Sequence, residues 1–236
     1  MGGVFDHKAW SSKGAVAAND LEVGAAVWLT VDSTLTEFLI VHHGNPDSTE
    51  YAGAADGVWL LAKDLMYTSA WGSSNNTYSN SKVRTFLEET YYAMLDSSVQ
   101  ELVNTVLLPY CTNTQWNSYS IGRGENGLSS KVFLLSLREL GYDASKYAPT
   151  EGVPLSYFNG ADNSAKIAYF ESTAKGWWTR SRAGGDSSYY QHATYVTSYG
   201  EDEIISKSAT GYVRPAFIIS NDAMFTLNAS RQYVLV

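Results

Sequence analysis

Hydrophobic positions dominate two neighbouring stretches, Val27-Trp-Leu-Thr-Val-Asp32 and Thr36-Glu-Phe-Leu-Ile-Val-His-His43, which the polar turn residues Asp32-Ser33-Thr34 separate. Two such β-branched and aromatic runs across a short polar break predict a β-hairpin. The run Val58-Trp-Leu-Leu-Ala62 follows a Gly/Asp-rich loop and has no polar face, so it predicts a strand buried on both sides. Three helices are expected next. Ser79 to Ser81 precede Val83, Phe86, Leu87, Tyr91 and Met94, whose spacing of three and four marks one apolar face. Asp96 or Ser97 can cap a second helix carrying Val99, Leu102, Val103 and Val106 and ending before Pro109. Ser129 or Ser130 can cap a third, Lys131 to Leu140, with Gly141 as its left-handed stop. Short strands and turns resume beyond Tyr142 and finish in Val213 to Ser220 and Gln232 to Val236. Residues 1–20, polar and small apart from Phe5 and Trp10, read as an N-terminal arm, and 21–236 as one α+β domain with a twisted antiparallel sheet, about three helices and long loops.

Composition narrows the function classes. A hydrophobic share of 44% supports a full core, and 14% aromatics favour strands over a helical bundle. The net charge of -8 argues against nucleic acid, because sequence-independent binding there needs Lys and Arg to replace counterions. Cys111 is the sole cysteine, so neither an intrachain disulfide nor a CxxC zinc site can form, and it reads as a small buried hydrophobe. No basic-then-apolar leader and no run of eighteen apolar residues occurs, so neither an export signal nor membrane insertion is expected. His42-His43 lacks the spacing of a metal pair, and GxSxG, GxxxxGK[ST] and GxGxxG are all missing, which leaves hydrolase, P-loop and dinucleotide chemistry without an anchor. Glu88 and Glu89 read as solvent-facing.

The chemistry concentrates near the C-terminus. Gly176-Trp-Trp-Thr-Arg-Ser181 and Gly211-Tyr-Val-Arg-Pro-Ala-Phe217 bracket a segment dominated by Tyr, Ser, Thr, Gly and acidic residues. Tyrosine gives large contact area at low rotamer cost, while Ser, Gly and Asp adapt their hydrogen bonding, so this mixture suits a recognition surface. The candidate contact residues are Ser187, Ser188, Tyr189, Tyr190, His192, Tyr195, Thr197, Tyr199, Glu201, Asp202, Glu203, Ile205 and Lys207. If residues 195–199 are extended, Tyr195, Thr197 and Tyr199 share a face. Trp177 and Trp178 fall on opposite sides of a strand, one in the core and one partly exposed, and Arg180 and Arg214 hold the segment's ends through backbone carbonyls or a buried carboxylate.

Four ordered motifs, Trp59 to Asp64, Ser130 to Ser136, Trp177 to Ser181 and Arg214 to Ala216, resemble a bacterial and phage domain family of unassigned function. That family is similar to C-type lectin-like folds, including phage receptor-binding proteins and the variable proteins of diversity-generating retroelements. The resemblance implies a C-type lectin-like scaffold displaying the variable stretch Ser187 to Lys207. It further implies a cell-surface protein or glycan as ligand, and a place on a phage tail, a capsid or a bacterial surface. Through the arm it implies contact with other virion or surface proteins, and by analogy a homo-oligomer. Arg182 departs from the pattern, which has Pro there. Calcium-dependent sugar binding would need Glu-Pro-Asn or Trp-Asn-Asp, and Trp116-Asn117-Ser118 only echoes the latter, so neither metal nor cofactor is expected and Glu201-Asp202-Glu203 reads as a solvated acidic tip. The rival readings are an architectural virion subunit that buries the same face, and a formylglycine-generating type of oxidase, whose copper needs a second cysteine.

Overall fold

A computed structural model describes residues 14–73, 77–113, 120–143, 150–184 and 191–236. The predicted hairpin forms as Ala26–Val31 and Thr34–His43, paired antiparallel from Ala26↔Leu39 to Val31↔Thr34, with Asp32 and Ser33 at positive φ in a two-residue turn. Val58–Ala62 joins it on one side and then pairs with Ala216–Ile219. On the other side Tyr233–Leu235 runs parallel to Ala26–Val31, followed by Met224–Leu227 and Val16–Ala17, which completes an eight-stranded sheet with Val132–Phe133 at its far edge. Within the stretch that composition placed in the arm, Val16–Ala17 form this sheet's edge strand and Ala18–Asp20 a 3₁₀ turn with Ala18 fully buried; residues 1–13 lie outside the described part.

A second, five-stranded sheet runs in the order Asp202–Ser206, His192–Val196, Trp177–Arg182, Thr210–Val213, Tyr67–Ala70. Leu128–Ser130, Val106–Leu108 and Ala52–Gly53 make a third, three-stranded sheet, and two further two-stranded pairs are present. The expectation of a C-type lectin-like sheet with about three helices is overturned. Strand accounts for 40% of the chain and helix for 15%, with one helix of 13 residues, so the molecule remains α+β only in the broad sense.

That helix is the first of the three expected. It spans residues 82–94, with Ser81 Oγ accepting from Arg84 N–H at 3.2 Å as its N-cap, a π-wound centre at Phe86–Tyr91, and Val83, Leu87 and Tyr91 buried. The second stops after one turn, Ser97–Gln100, and Val106 lies on a strand instead. The third does not form. Val132 and Leu134 enter one apolar cluster while Phe133, Leu135 and Leu137 enter another, so the run has a period of two, and being apolar throughout it also satisfied a helical template. Glu88 is half-buried and accepts from Lys131 N–H at 3.3 Å, contrary to its solvent-facing reading; Glu89 is exposed.

The two clusters lie on opposite faces of the long sheet. One gathers Val27, Leu29, Phe38, Leu60 and Phe217 against the helix and Trp178; the other gathers Trp59, Leu61 and Ile218 against Leu135, Leu155, Phe158 and Trp177. Because both faces are covered, Val58–Ala62 is buried at every position. Between the second cluster and the loops lies a buried polar centre. Arg180 donates to Glu139 through Nη1 at 2.5 Å and Nη2 at 2.6 Å, and to the Pro109 and Leu134 carbonyls; Tyr51 Oη donates to Glu139 Oε1 at 2.7 Å. Burial works against the Arg180 charge, but Glu139 outweighs it and holds the guanidinium above its usual range. Beside them Glu151, fully buried, accepts from Cys111 N–H and Ser181 Oγ at 2.7 Å each, and burial lifts its carboxyl to about 7 despite the opposing pull of Arg180.

Between the ordinary value of 4.5 and about 7 the folded chain holds a proton on Glu151 that the unfolded chain has lost, so this group's contribution to stability falls as pH rises through that window. Urea unfolding of the wild type and Glu151→Gln at pH 5 and pH 8 should show the wild type losing on the order of 2 kcal/mol relative to the variant on going to the higher pH. Parallel losses in the two proteins would show that Glu151 is not the group responsible.

Candidate functional site

The face built by the five-stranded sheet is organised around Trp178. Its indole N–H donates to the Ser69 carbonyl at 2.8 Å, and its ring lies against Gly211, where a Cβ would come within 2.7 Å of the indole. On the next strand Tyr195 is the register partner of Trp178 and packs edge-on to it, ring centroids 5.4 Å apart. Tyr195 also covers Gly176, where a Cβ would sit 2.2 Å from its ring. Trp177, on the other side of the strand, donates to the Lys166 carbonyl at 3.1 Å and lies under the Arg214 guanidinium at 5.0 Å. Both tryptophans are fully buried, which corrects the expectation that one is partly exposed: alternation does separate them, but each side of this strand has its own core to fill.

Beyond Val196 the strand ends. Thr197 N–H donates to the Glu201 carbonyl at 2.8 Å, Gly200 N–H to the Thr197 carbonyl at 3.1 Å, and Thr197 Oγ1 accepts from the N–H groups of Tyr199 and Glu201. Residues 195–199 are thus not extended throughout, and it is a turn that brings Tyr195, Thr197 and Tyr199 to one place. With Ala174, Lys175, Gly176, Ser198, Glu201 and Glu203 they line a groove of about 590 Å³. Tyr199 is 76% exposed, the most exposed large hydrophobic side chain among the described residues. Burial, and after it the neighbouring Tyr212 and Glu203, push the Tyr195 phenol above its ordinary value, so it stays a neutral donor in the groove.

The remaining candidates lie elsewhere. Asp202, register partner of Val196, is on the strand's other side, where its charge reaches Tyr142 and Lys166. Ile205 packs into the first cluster, His192 is half-buried, and Lys207 is buried over the Trp71 ring at 5.2 Å, where burial first and Arg182 second lower its ammonium to about 8. Ser187, Ser188, Tyr189 and Tyr190 lie outside the described residues, as does Trp116-Asn117-Ser118. Arg180 and Arg214 are buried, the latter donating to the Ala62, Lys63 and Lys166 carbonyls. The groove residues not anticipated are Ala174, Lys175, Gly176 and Ser198; the glycine before a Trp-Trp pair was the one available signal, since it marks a place where a ring must come close to backbone.

A family model matches residues 56–221. The chain belongs to DUF6273, a domain of unknown function. No curated protein and no solved structure matches it. The matched span of the DUF6273 domain contains every residue of the groove, along with Trp177, Trp178, Arg180 and Arg214 beneath it. No helix among the described residues is long and apolar enough to cross a membrane. Among the described residues no three His, Cys, Asp or Glu side chains gather as metal ligands: His42 Nδ1 pairs with Ser156 Oγ at 2.7 Å, His43 Nε2 meets the Leu21 carbonyl at 2.8 Å, and Cys111 is buried.

Gly176→Ala should push the Tyr195 ring off its Trp178 contact at a cost of about 1–3 kcal/mol. Chemical denaturation reads the stability, and near-ultraviolet circular dichroism the altered aromatic packing; a variant matching the wild type in both would show that the close approach is not a constraint.

Proposed function

We propose that this DUF6273 domain is a non-catalytic recognition module whose Tyr195–Tyr199 groove binds a ligand displayed on a cell surface, with a glycan as the favoured class. The observation that carries the reading is the groove itself: two tyrosine rings, one of them 76% exposed, stand among hydroxyls and the side chains of Lys175, Glu201 and Glu203 on one concave surface. Aromatic rings cover the apolar face of a polyhydroxylated ligand, while carboxylates and hydroxyls exchange hydrogen bonds with its rim. The exposed Tyr199 leaves apolar area in water, which binding would remove.

The resemblance of the four sequence motifs to those of phage receptor-binding and retroelement-diversified proteins supports display on a phage tail or a bacterial surface, with other surface or virion proteins as neighbours. An architectural subunit that buries Tyr199 against another copy is the second reading, favoured by the same exposure.

A glycan array probed with the wild type and with Tyr199→Ala decides between them. Recognition predicts saturable binding that falls by about thirtyfold or more in the variant, as loss of a central aromatic anchor does, with an unchanged melting temperature because Tyr199 is on the surface. Absence of array and cell binding in the wild type, together with a self-association that Tyr199→Ala abolishes, would replace recognition with assembly.

A further inference from the structure

A second groove, of about 440 Å³, opens at the turn of the first hairpin, on the eight-stranded sheet, and owes nothing to the reading of the Tyr199 groove. Trp28 and Glu37 are cross-strand partners in its wall, Leu35 is 45% exposed at its mouth, and Asp64 and Tyr67 close it from the connection into the five-stranded sheet. Its frame is fixed: Asp32 N–H donates to the Met94 carbonyl at 2.7 Å, Asp96 N–H to the Thr30 carbonyl at 3.0 Å, and Lys63 N–H to the Glu37 carbonyl at 3.1 Å.

Three carboxylates line this groove, and they are not equivalent. Glu37 is held by Lys63 Nζ at 2.8 Å. Asp32 and Asp64 make no side-chain hydrogen bond or ion pair among the described residues, and no Lys or Arg is among the lining side chains. Asp32 is close enough to Tyr67 to add to the burial that raises its phenol. Behind the Tyr67 ring Tyr91 packs in edge contact, centroids 6.0 Å apart, and fixes the ring's position from the core side.

Two exposed carboxylates, neither in a hydrogen-bonded ion pair among the described residues although Asp64 also feels the buried Arg214, stand beside an indole and a phenol and form a complement to one kind of ligand. Ring faces attract cations through their quadrupole, carboxylates supply the opposite charge, and Leu35 accepts a short carbon chain. A net charge of -8 adds a favourable field for the approach of a cation. We propose that this groove binds an alkylammonium group, its charge against Asp32 and Asp64 and its carbon body on Trp28, Leu35 and Tyr67. An anion is refused by the carboxylates, and a hydrated metal ion has no carbon body to cover the apolar surface of Leu35 and the rings.

The test follows the Trp28 indole N–H cross-peak of the full chain while n-butylammonium, which carries the lysine head, and tetramethylammonium, the quaternary head, are added at constant ionic strength; n-pentanol is the neutral control. Saturable shifts with either cation and none with the alcohol are expected, and the cation showing the tighter curve identifies the head group. The double variant Asp32→Asn/Asp64→Asn, both positions being exposed, should keep its fold and weaken the cation titration by about tenfold or more. Tyr199→Ala, in the other groove, should titrate as the wild type. Equal shifts from the neutral alcohol, an unweakened double variant or no saturable shift with either cation would overturn the proposal.

Discussion

The interior of this protein is crossed by loops and by the ends of strands and turns, and their carbonyls must find donors away from water. Three arginines supply them. Arg180 serves the Pro109 and Leu134 carbonyls, Arg182 those of Asn113 and Ala183, and Arg214 those of Ala62, Lys63 and Lys166, all from one strand and the end of its parallel neighbour. A guanidinium carries five donors in a rigid plane, which no other side chain can match at that density. Each buried carbonyl left unpaired would cost a few kcal/mol, so the arginines are what allows irregular segments to pack at all. Their charges are handled differently. Arg180 has Glu139; Arg214 makes no ion pair among the described residues and lies on the Trp177 ring, and burial lowers its pKa to about 10 against the weaker opposing pull of Tyr157 and Asp64.

The Arg180–Glu139 pair is better understood as a positioning device than as a source of net stability. Desolvating both charges offsets most of their attraction, and apolar residues of the same volume would serve a core equally well. What apolar residues could not do is fix four segments at once. Glu139 Oε2 accepts from Ser136 N–H, and Ser136 Oγ from Glu139 N–H, which closes a capping box over a single turn. Tyr51 reaches the same carboxylate from the loop before the third sheet and accepts from Val153 N–H at 3.3 Å. The strand bearing the tryptophans is thereby registered against the loops that would otherwise be free to slide along it.

The hairpin and Val58–Ala62 were legible because short runs of β-branched and aromatic residues bounded by turn residues correspond to buried strands, and the Asp-Ser-Thr break fixed the turn. Lys131 to Leu140 was not legible as strand, since Val132 to Leu135 is apolar at every position and the decision between periods three and a half and two depends on two separate cores waiting on either side. The same missing knowledge of layers put one of Trp177 and Trp178 partly in solvent. Of the candidate contact residues, Tyr195, Thr197, Tyr199, Glu201 and Glu203 share a groove. The sequence could not separate them from Asp202 and Ile205, because that depends on which strand face each residue takes, nor foresee that a turn closed by Thr197 would bring Tyr199 alongside Tyr195.

How that turn is held bears on what the groove can do. Gly200 has φ of +77°, and a Cβ there would meet the Asn163 carbonyl at 2.0 Å, so only glycine lets the turn lie this close to the neighbouring 3₁₀ segment Asn163–Lys166. Tyr142 donates to the Gly200 carbonyl, and its ring in turn carries the Lys166 ammonium at 4.4 Å. Leu140, Phe158 and Trp177 belong to the same core as Tyr142. The tip of the groove is thus tied through Tyr142 into the second core, while Tyr195 is clamped between Trp178 and Gly176. A loop ordered before its ligand arrives gives up little conformational freedom on binding, and each side chain fixed in advance saves on the order of 1 kcal/mol that a mobile one would lose. Tyr199 alone keeps its freedom at the surface. The groove therefore combines a rigid floor with one adjustable ring, an arrangement that can discriminate ligands by shape at the floor and still accommodate variation at the rim.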